Sequence, residues 1–339
     1  MSLTIKDGVV KKYNPEPGKT TVVIPEGVTA IGTSAFRDRQ RLVSVVIPDS
    51  VTRIGKHAFL GCGNLKSVQL PQHLEAIGSY AFGKCRALRS ISLPDSLTQI
   101  GDSIFDGCIN LAQIRIPDTI RTIPYAMFQN CTELSSVRLP KGLIKIDLCA
   151  FDNCWALQRI TLPETLLHIG RLAFSNCVNL RELTLPGQLH YIGDHAFSRC
   201  RYLTELSVPE SVVMLGEEAL PWLSEPDAEG FACRGRILLR YTGSDPRPVL
   251  PENITVIAGG AFQNCHALEE ISLPQGLVSI GEDAFAWCEK LSAVDLPDSL
   301  KYLGAGAFWD CKSLTHLELP VGLKHIGREA FHGSGFARD

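Results

Sequence analysis

The sequence lacks the features that would assign it to several common functional classes. It has no apolar run of the length, about 18 residues, that a membrane-spanning helix needs. It has no C-x-x-C pair for a zinc site, and no G-x-S-x-G, P-loop or G-x-G-x-x-G motif. Its charge is nearly balanced, since 33 Lys and Arg stand against 36 Asp and Glu. We therefore expect no nucleic-acid partner, no membrane insertion, no metal and no cofactor.

The composition indicates a folded chain, with 45% apolar and 20% charged residues. The first residues, Met1 to Tyr13, contain no apolar block of the about 7 to 15 residues that a secretory signal requires. Many unpaired cysteines suit a reducing compartment. We predict a cytoplasmic location, with the cell surface or secretion as the alternative if a leader precedes this sequence.

A 23-residue interval organises almost the whole chain. Phenylalanine recurs at this interval from Phe36 to Phe197 and again from Phe262 to Phe331. The prolines that keep the same interval are Pro25, Pro48, Pro71, Pro94, Pro117, Pro140, Pro163, Pro186 and Pro209, then Pro251, Pro274, Pro297 and Pro320. The chain therefore contains nine repeat units, a break, and four more units.

Each unit contains two apolar segments and a more widely spaced apolar pattern. Residues 88–93 end in the period-2 spacing of a short strand, which Pro94 terminates, and residues 97–100 form a second extended piece. The later offsets of 4, 4 and 3 predict about two helical turns. The slot of Gly101 holds Pro124 and Asp147 in the next units, so it does not require a left-handed backbone, and we place the start of a short helix there.

A single unit is too small to fold alone. About eight buried apolar side chains contribute on the order of 10–20 kcal/mol, whereas ordering 23 residues costs about the same or more. Stacked units bury the same slots against one another. Thirteen coils about 4.8 Å apart predict one elongated solenoid of roughly 60 Å instead of two ordinary domains.

The pattern L-x-x-I-x-L-P followed by I-G-x-x-A-F-x-x-C resembles the BspA-type leucine-rich repeats, from about residue 20 to residue 333. These are 23-residue repeats common in bacterial surface proteins and in some protists. The resemblance implies a fold of the α/β class, a right-handed solenoid of short parallel strands and short helical turns. It also implies protein binding or cell adhesion, as for some members of that family.

The pattern divides the chain into four segments: residues 1–24, 25–220, 221–250 and 251–339. Asp7-Gly8 predicts a hairpin that caps the first repeat block, and a similar hairpin restarts the second block. The 221–250 insertion is either a spacer or a kink that sets the angle between two binding faces. At the other end, either Phe336 or a second molecule covers the last coil, so we expect mostly monomer with a weak end-to-end dimer.

Ten of the twelve cysteines keep the repeat interval, always three residues after the phenylalanine slot. Neighbouring ladder cysteines would lie about 4.8 Å apart with parallel Cβ vectors, which does not suit a disulfide. We interpret them as buried free thiols in the core. A redox or metal role is the alternative interpretation.

The outward slots of the first strand in each unit form the candidate recognition surface, because successive coils display neighbouring side chains there. The side chains in these slots change from neutral to basic to acidic along the chain. The candidate partner-binding residues are Arg115, Arg138, Arg159, Glu182, Glu205, Glu270, Asp295 and Glu318. They are either ordinary solvated strand residues or a polarised groove that orients a partner.

We predict a non-enzymatic interaction module that recognises a protein or a host-surface macromolecule. An intracellular scaffold is the first alternative. An enzyme with its site in the 221–250 insertion is the second, since Glu225, Asp227, Glu229 and Cys233 lie there.

Overall fold

The computed structural model describes residues 2–204, 206–220 and 225–336. The chain divides into two compact units. Unit 1 comprises Met1–Leu189 and Phe197–Pro209, and unit 2 comprises His190–Ala196 and Glu210–Asp339. Each unit is a stack of 23-residue coils joined by short parallel strands, so the expectation of a solenoid is confirmed within each unit.

Unit 1 contains two kinds of strand, and most of its coils contain one of each. Its strands are β1 (Ser2–Lys6), β2 (Val9–Asn14), β3 (Thr21–Val23), β4 (Ala30–Ile31), β5 (Ser44–Val46), β6 (Arg53–Ile54), β7 (Ser67–Gln69), β8 (Ala76–Ile77), β9 (Gln99–Ile100), β10 (Gln113–Arg115), β11 (Thr122–Ile123), β12 (Ser136–Arg138), β13 (Lys145–Ile146) and β14 (His168–Ile169). We call β3, β5, β7, β10 and β12 the first ribbon, and β4, β6, β8, β9, β11, β13 and β14 the second ribbon.

The strand register reproduces the sequence interval. In the second ribbon, Ile31 lies beside Ile54, Ile54 beside Ile77, and Ile77 beside Ile100. In the first ribbon, β3, β5 and β7 pair in the same parallel manner. The strands of the first ribbon are short because a proline, which has no N–H for a ladder bond, follows the first segment of the coil.

The expected short helices are absent: the described residues contain no helix. In the segment that follows Gly32, the N–H groups of Ser34, Phe36 and Asp38 each donate to a carbonyl 22 residues later, at 2.7–2.9 Å. The alternate N–H groups of Ala35, Arg37 and Arg39 bond within their own coil, to carbonyls three residues earlier. A helix needs consecutive N–H groups to bond internally. Half of these groups instead join neighbouring coils, so the helix prediction was wrong.

The backbone of this segment also turns left-handed twice in each coil for which the structure describes both turn positions. Ser34 and Asp38 both have φ of 57°, and the corresponding non-glycine residues of later coils fall between 44° and 62°. Such residues are rare outside turns and cost about 1–2 kcal/mol each. The i, i+4 apolar spacing that suggests a helix therefore arises from a chain of turns whose inward side chains happen to have that spacing.

Glycine occupies this slot for a different reason from the one that the sequence suggested. Neither Gly55 nor Gly78 has a positive φ, as expected. A Cβ atom on Gly55 would lie 2.7 Å from the backbone nitrogen of Thr33, and one on Gly78 would lie 2.6 Å from that of Lys56. The glycines therefore permit the close approach of successive coils, and they do not begin a helix.

A continuous stack of aromatic rings fills the core of unit 1. Phe36 to Phe197 follow one another with ring centroids 4.8–5.9 Å apart and nearly parallel planes. Tyr13 stacks on Phe36 at 5.2 Å and covers the first ring. Tyr13 reaches this place because β1 and β2 form an antiparallel hairpin whose second strand pairs in parallel with β4.

Unit 2 repeats this design. Its strands are β15 (Tyr191–Ile192), β16 (Met214–Leu215), β17 (Phe231–Arg234), β18 (Ile237–Tyr241), β19 (Val256–Ile257), β20 (Glu270–Ile271), β21 (Ser279–Ile280), β22 (Ala293–Val294), β23 (Tyr302–Leu303) and β24 (His325–Ile326). The antiparallel hairpin β17–β18 pairs in parallel with β19. Tyr241 packs on Phe262 at 5.1 Å, as Tyr13 packs in unit 1. At the far end, Phe336 lies edge-on against Phe331 at 5.1 Å.

All twelve cysteines are free thiols. Nine ladder cysteines donate Sγ–H to the carbonyl of a phenylalanine 26 residues earlier, at 3.0–3.3 Å. The tenth, Cys265, is half-buried. Burial raises the pKa of Cys62, Cys108 and Cys311 to about 12. The ladder is therefore a hydrogen-bonded part of the core, and its thiols are poor nucleophiles at neutral pH.

Candidate partner-binding surface

The first ribbon of unit 1 presents alternate side chains to solvent. In β10, Ile114 is only 5% exposed, whereas Gln113 and Arg115 on either side point outward. In β12, Ser136 and Arg138 are exposed on either side of Val137. This alternation follows from the period of two in an extended chain, and it places Gln113, Arg115, Ser136 and Arg138 on the outer side of β10 and β12.

Arg115 and Arg138 form the basic centre of this surface. They are directly paired positions in the parallel strands β10 and β12, so their strands lie about 4.8 Å apart. Arg115 Nη1 also contacts Asp95 Oδ1 at 2.7 Å. Both side chains of that ion pair are well exposed, and such a pair contributes little stability. The two guanidinium groups therefore stay available at the surface.

The basic centre also affects the pKa of a second carboxylate, that of Asp118. The pKa of Asp118 is lowered, chiefly by a hydrogen bond from the backbone N–H of Lys141 and also by the charges of Lys141, Arg138 and Arg115. A shallow groove of about 390 Å³ lies alongside and is lined by Ser90, Gln113 and both arginines. The centre is thus a basic spot with acidic neighbours instead of an isolated positive patch.

Arg159 lies apart from these two arginines. It occupies the outward slot before the middle strand residue, whereas Arg115 and Arg138 occupy the slot after it. Its paired neighbour in the next coil is Glu182, which places opposite charges on adjacent exposed positions. The sign of the surface therefore changes between these two coils.

The acidic candidates of unit 2 are more dispersed. Glu270 begins β20, and Arg247 Nη2 lies 3.7 Å from its carboxylate. Asp295 and Glu318 are exposed in the slot after the middle residue of successive coils, and Glu318 Oε1 is 4.0 Å from His316 Nε2. Glu205 lies outside the described residues. Within unit 2, the acidic candidates thus occupy different slots, and an arginine partly offsets the charge of Glu270.

A groove over the second ribbon of unit 1 was missed from the sequence. It has a volume of about 950 Å³ and is lined by residues between Val9 and Thr122, including Lys11, Arg53, Lys56 and Arg121. The signal was the alanine that precedes the Ile-Gly pair in two coils, Ala30 and Ala76, where the neighbouring coils carry Arg53 and Gln99. Because a helix was expected to begin at the glycine slot, no groove was predicted there.

The insertion offers little support for catalysis. Pro221–Ser224 lie outside the described residues. Asp227 Oδ1 accepts the N–H groups of Glu229 and Phe231 at 3.1 and 2.8 Å, so it stabilises the turn into β17. Burial raises the pKa of Cys233, which disfavours the reactive thiolate.

Neither a metal-ligand cluster nor a membrane-spanning helix lies in the part of the chain that the structure describes. No group of three or more His, Cys, Asp or Glu side chains there is arranged to hold a metal ion. No helix there has the length and apolar character needed to cross a bilayer.

Identical slots that stack coil upon coil through parallel strands define a leucine-rich β-solenoid repeat protein. The family model for the BspA type leucine rich repeat region matches residues 16–135, 122–221 and 245–337, and the chain belongs to this family.

Two solved structures are similar over nearly the full length. A leucine-rich repeat protein from Bacteroides ovatus is 27% identical, with a TM-score of 0.61, and the match covers 98% of this chain and 90% of that one. A leucine rich cell surface protein from Faecalibacterium prausnitzii is 25% identical, with a TM-score of 0.50, over 96% of this chain and 87% of that one. No curated protein matches the chain.

Proposed function

We propose that this protein is a non-enzymatic interaction module that recognises an acidic patch on a partner protein through the first ribbon of unit 1. The observation that supports the proposal best is the pairing of Arg115 with Arg138 at adjacent exposed positions of β10 and β12. Arginine is enriched at protein interfaces, where its planar guanidinium group binds carboxylates through two hydrogen bonds.

The ribbon suits recognition because its backbone is held by the coils on either side. Ser44, Ser67, Gln113 and Ser136 provide small or polar neighbours in the same outward slot, and the hydroxyls of Ser44 and Ser67 are 2.9 Å apart. A partner therefore meets preformed side-chain positions and little ordering of the protein accompanies binding. The opposite charges of Arg159 and Glu182 supply a polarity that can fix the partner's orientation.

The location of the protein depends on which partner it has. An adhesion-type role toward a host-surface macromolecule requires export, and one similar structure is that of a cell surface protein. An intracellular scaffold role does not require export, and the twelve free thiols favour a reducing compartment. Labelling of intact cells with a membrane-impermeant reagent decides between these two roles.

Site-specific photo-crosslinking tests the surface itself. We place a photoreactive phenylalanine analogue at Ser136, an exposed outward position, and crosslink the intact chain in the cells that produce it and on cultured host cells. The captured protein is then purified and titrated against the wild type and against the triple variant Arg115→Glu, Arg138→Glu, Arg159→Glu. We expect at least tenfold weaker binding of the variant.

A second triple variant provides the control. Arg41, Arg86 and Arg171 are exposed and lie outside the first ribbon, so their change to Glu alters the net charge equally. Unchanged affinity of the control supports the proposal. Equal losses in both variants would show a general charge effect, and an unchanged affinity of the first variant would remove the ribbon from the interface.

A further inference from the structure

The groove over the second ribbon of unit 1 is a separate surface from the one proposed above. From its shape and charge we propose that it binds an extended acidic peptide segment of a partner protein.

Two outward positions along the floor of the groove hold small side chains, and Arg53 lies between them. The outward positions of β4 and β8 are Ala30 and Ala76, and Gly55 and Gly78 stand next to the ribbon. Their lack of bulk is enforced by the fold, because a Cβ atom on either glycine would collide with the backbone of the preceding coil. A peptide main chain can therefore approach this ribbon closely.

The length of the groove sets the length of its occupant. The lining residues run from Val9 in β2 through β4, β6, β8 and β9 to Thr122 in β11, which is six successive strands. Five steps of about 4.8 Å between neighbouring strands make about 24 Å. An extended peptide rises about 3.3 Å per residue, so about seven residues span the groove.

The charged side chains of the lining are all positive. Lys11, Arg53, Lys56 and Arg121 line the groove, and no lining residue is acidic. Among the described residues, Lys11, Arg53 and Lys56 form no ion pair, and Arg121 Nη1 donates to the carbonyl of Gly142 at 2.9 Å. Uncompensated charges along a concave surface attract an anionic ligand and raise its local concentration.

Two carboxylates limit the extent of this positive surface. Glu75 and Asp102 occupy neighbouring slots of the same coils, and both are exposed, but neither lines the groove. They reduce the potential at the rim, and the centre around Arg53 and Lys56 stays basic. An acidic segment is therefore held best along the middle of the groove.

The polar lining favours a peptide over other anionic polymers. Thr33, Ser79, Thr98 and Gln99 offer hydroxyl and amide groups that can bond the N–H and C=O groups of a main chain. The lining contains no aromatic side chain on which nucleic-acid bases could stack.

The experiment titrates a fluorescein-labelled peptide of seven glutamates into the full chain and measures anisotropy at 50 and 300 mM salt. A peptide of seven glutamines is the neutral control. We expect saturable binding of the acidic peptide, weakened by the higher salt, and no binding of the neutral one. The variant Lys11→Gln, Arg53→Gln, Lys56→Gln should bind about tenfold more weakly, since each exposed pair adds a modest contribution.

Two further variants make the result specific. Ala76→Phe fills the trough without changing any charge and should weaken binding by a similar factor. Arg41→Gln, Arg86→Gln, Arg171→Gln removes the same charge elsewhere and should bind as the wild type does. Circular dichroism checks that each variant is folded, and the arginines of the first ribbon remain unchanged throughout.

Four results would overturn the proposal. They are equal binding of both peptides, an unchanged affinity of the Lys11, Arg53, Lys56 variant, an unchanged affinity of Ala76→Phe, and an equal loss in the control variant. Tighter binding of a heparin hexasaccharide than of the glutamate peptide would also overturn it, in favour of a polysaccharide ligand. Failure here leaves the first-ribbon proposal intact, because that test uses a different surface and a different ligand.

Discussion

Alkaline pH should unfold unit 1 in a steep transition, because its core contains a ladder of buried thiols. In the folded state, burial raises the pKa of Cys62 and Cys108 to about 12. In the unfolded chain a thiol has a pKa of about 8.5. The folded protein therefore holds these protons more tightly. Their contribution to stability is complete below pH 8.5 and is lost as the pH rises toward 12.

The size of the effect follows from the number of thiols. At pH 9.5, ionisation stabilises each unfolded thiol by about 1.4 kcal/mol. Seven thiols of unit 1 form the Sγ–H bond to a phenylalanine carbonyl. Together they remove about 10 kcal/mol, which is comparable with the whole stability of a typical domain. Unit 2 has only two such thiols, and with Cys265, whose pKa burial raises to about 11, its loss is about 4 kcal/mol.

Urea denaturation followed by circular dichroism, with a reductant present, measures the free energy of unfolding at pH 7, 8.5 and 9.5. Pulsed alkylation and peptide mass spectrometry then show which thiols become accessible. We expect the thiols of unit 1 to become accessible to alkylation at a lower pH than the thiols of unit 2. Cys154→Ala is the matched control, because it removes one titrating group and should reduce the pH-dependent loss by about 1.4 kcal/mol. A urea midpoint that is the same at pH 7 and pH 9.5 would refute the reasoning.

Three substitutions test the packing of the coils. Phe128→Ala removes a ring stacked at 5.8 and 5.3 Å on its neighbours and should cost about 3–5 kcal/mol in urea unfolding, whereas a cost below about 1 kcal/mol would contradict a close-packed stack. Lys84→Gly should raise the melting temperature, because φ at the exposed Lys84 is 58° and relief of that strain, about 1–2 kcal/mol, exceeds the entropic cost of glycine; a lower melting temperature would count against it. Gly78→Ala should lower stability by about 1–3 kcal/mol through its collision with Lys56, and an unchanged stability would mean that the coils can separate.

The parts of the fold that depend on the repeat interval could be predicted from the sequence. Identical slots at a fixed interval must stack if no single coil can bury its own apolar side chains. The predicted contact of like residues is confirmed by Ile31, Ile54 and Ile77 along the second ribbon and by the phenylalanine stack. The outward position of Arg115 and Arg138 followed from strand periodicity alone.

The conformation of the segment after the glycine slot could not be predicted in this way. Apolar side chains four residues apart suit a helix and also a series of turns, and the spacing does not distinguish them. The conformation is decided by the acceptors of the N–H groups of Ser34, Phe36 and Asp38, which are carbonyls of the next coil. The second-ribbon groove was missed for the same reason, since its floor exists only when Gly55 and Gly78 pack against preceding coils.

The sequence by itself determined which residues share a slot, and hence the stacking, the aromatic core and the cysteine ladder, because each depends only on the 23-residue interval. Only the tertiary structure decided how each coil bends and where its surface is concave. Those features depend on hydrogen bonds between residues 22 positions apart in different coils, which no local pattern encodes. They arise because backbone N–H groups bond to carbonyls of the neighbouring coil instead of forming the hydrogen bonds of a helix.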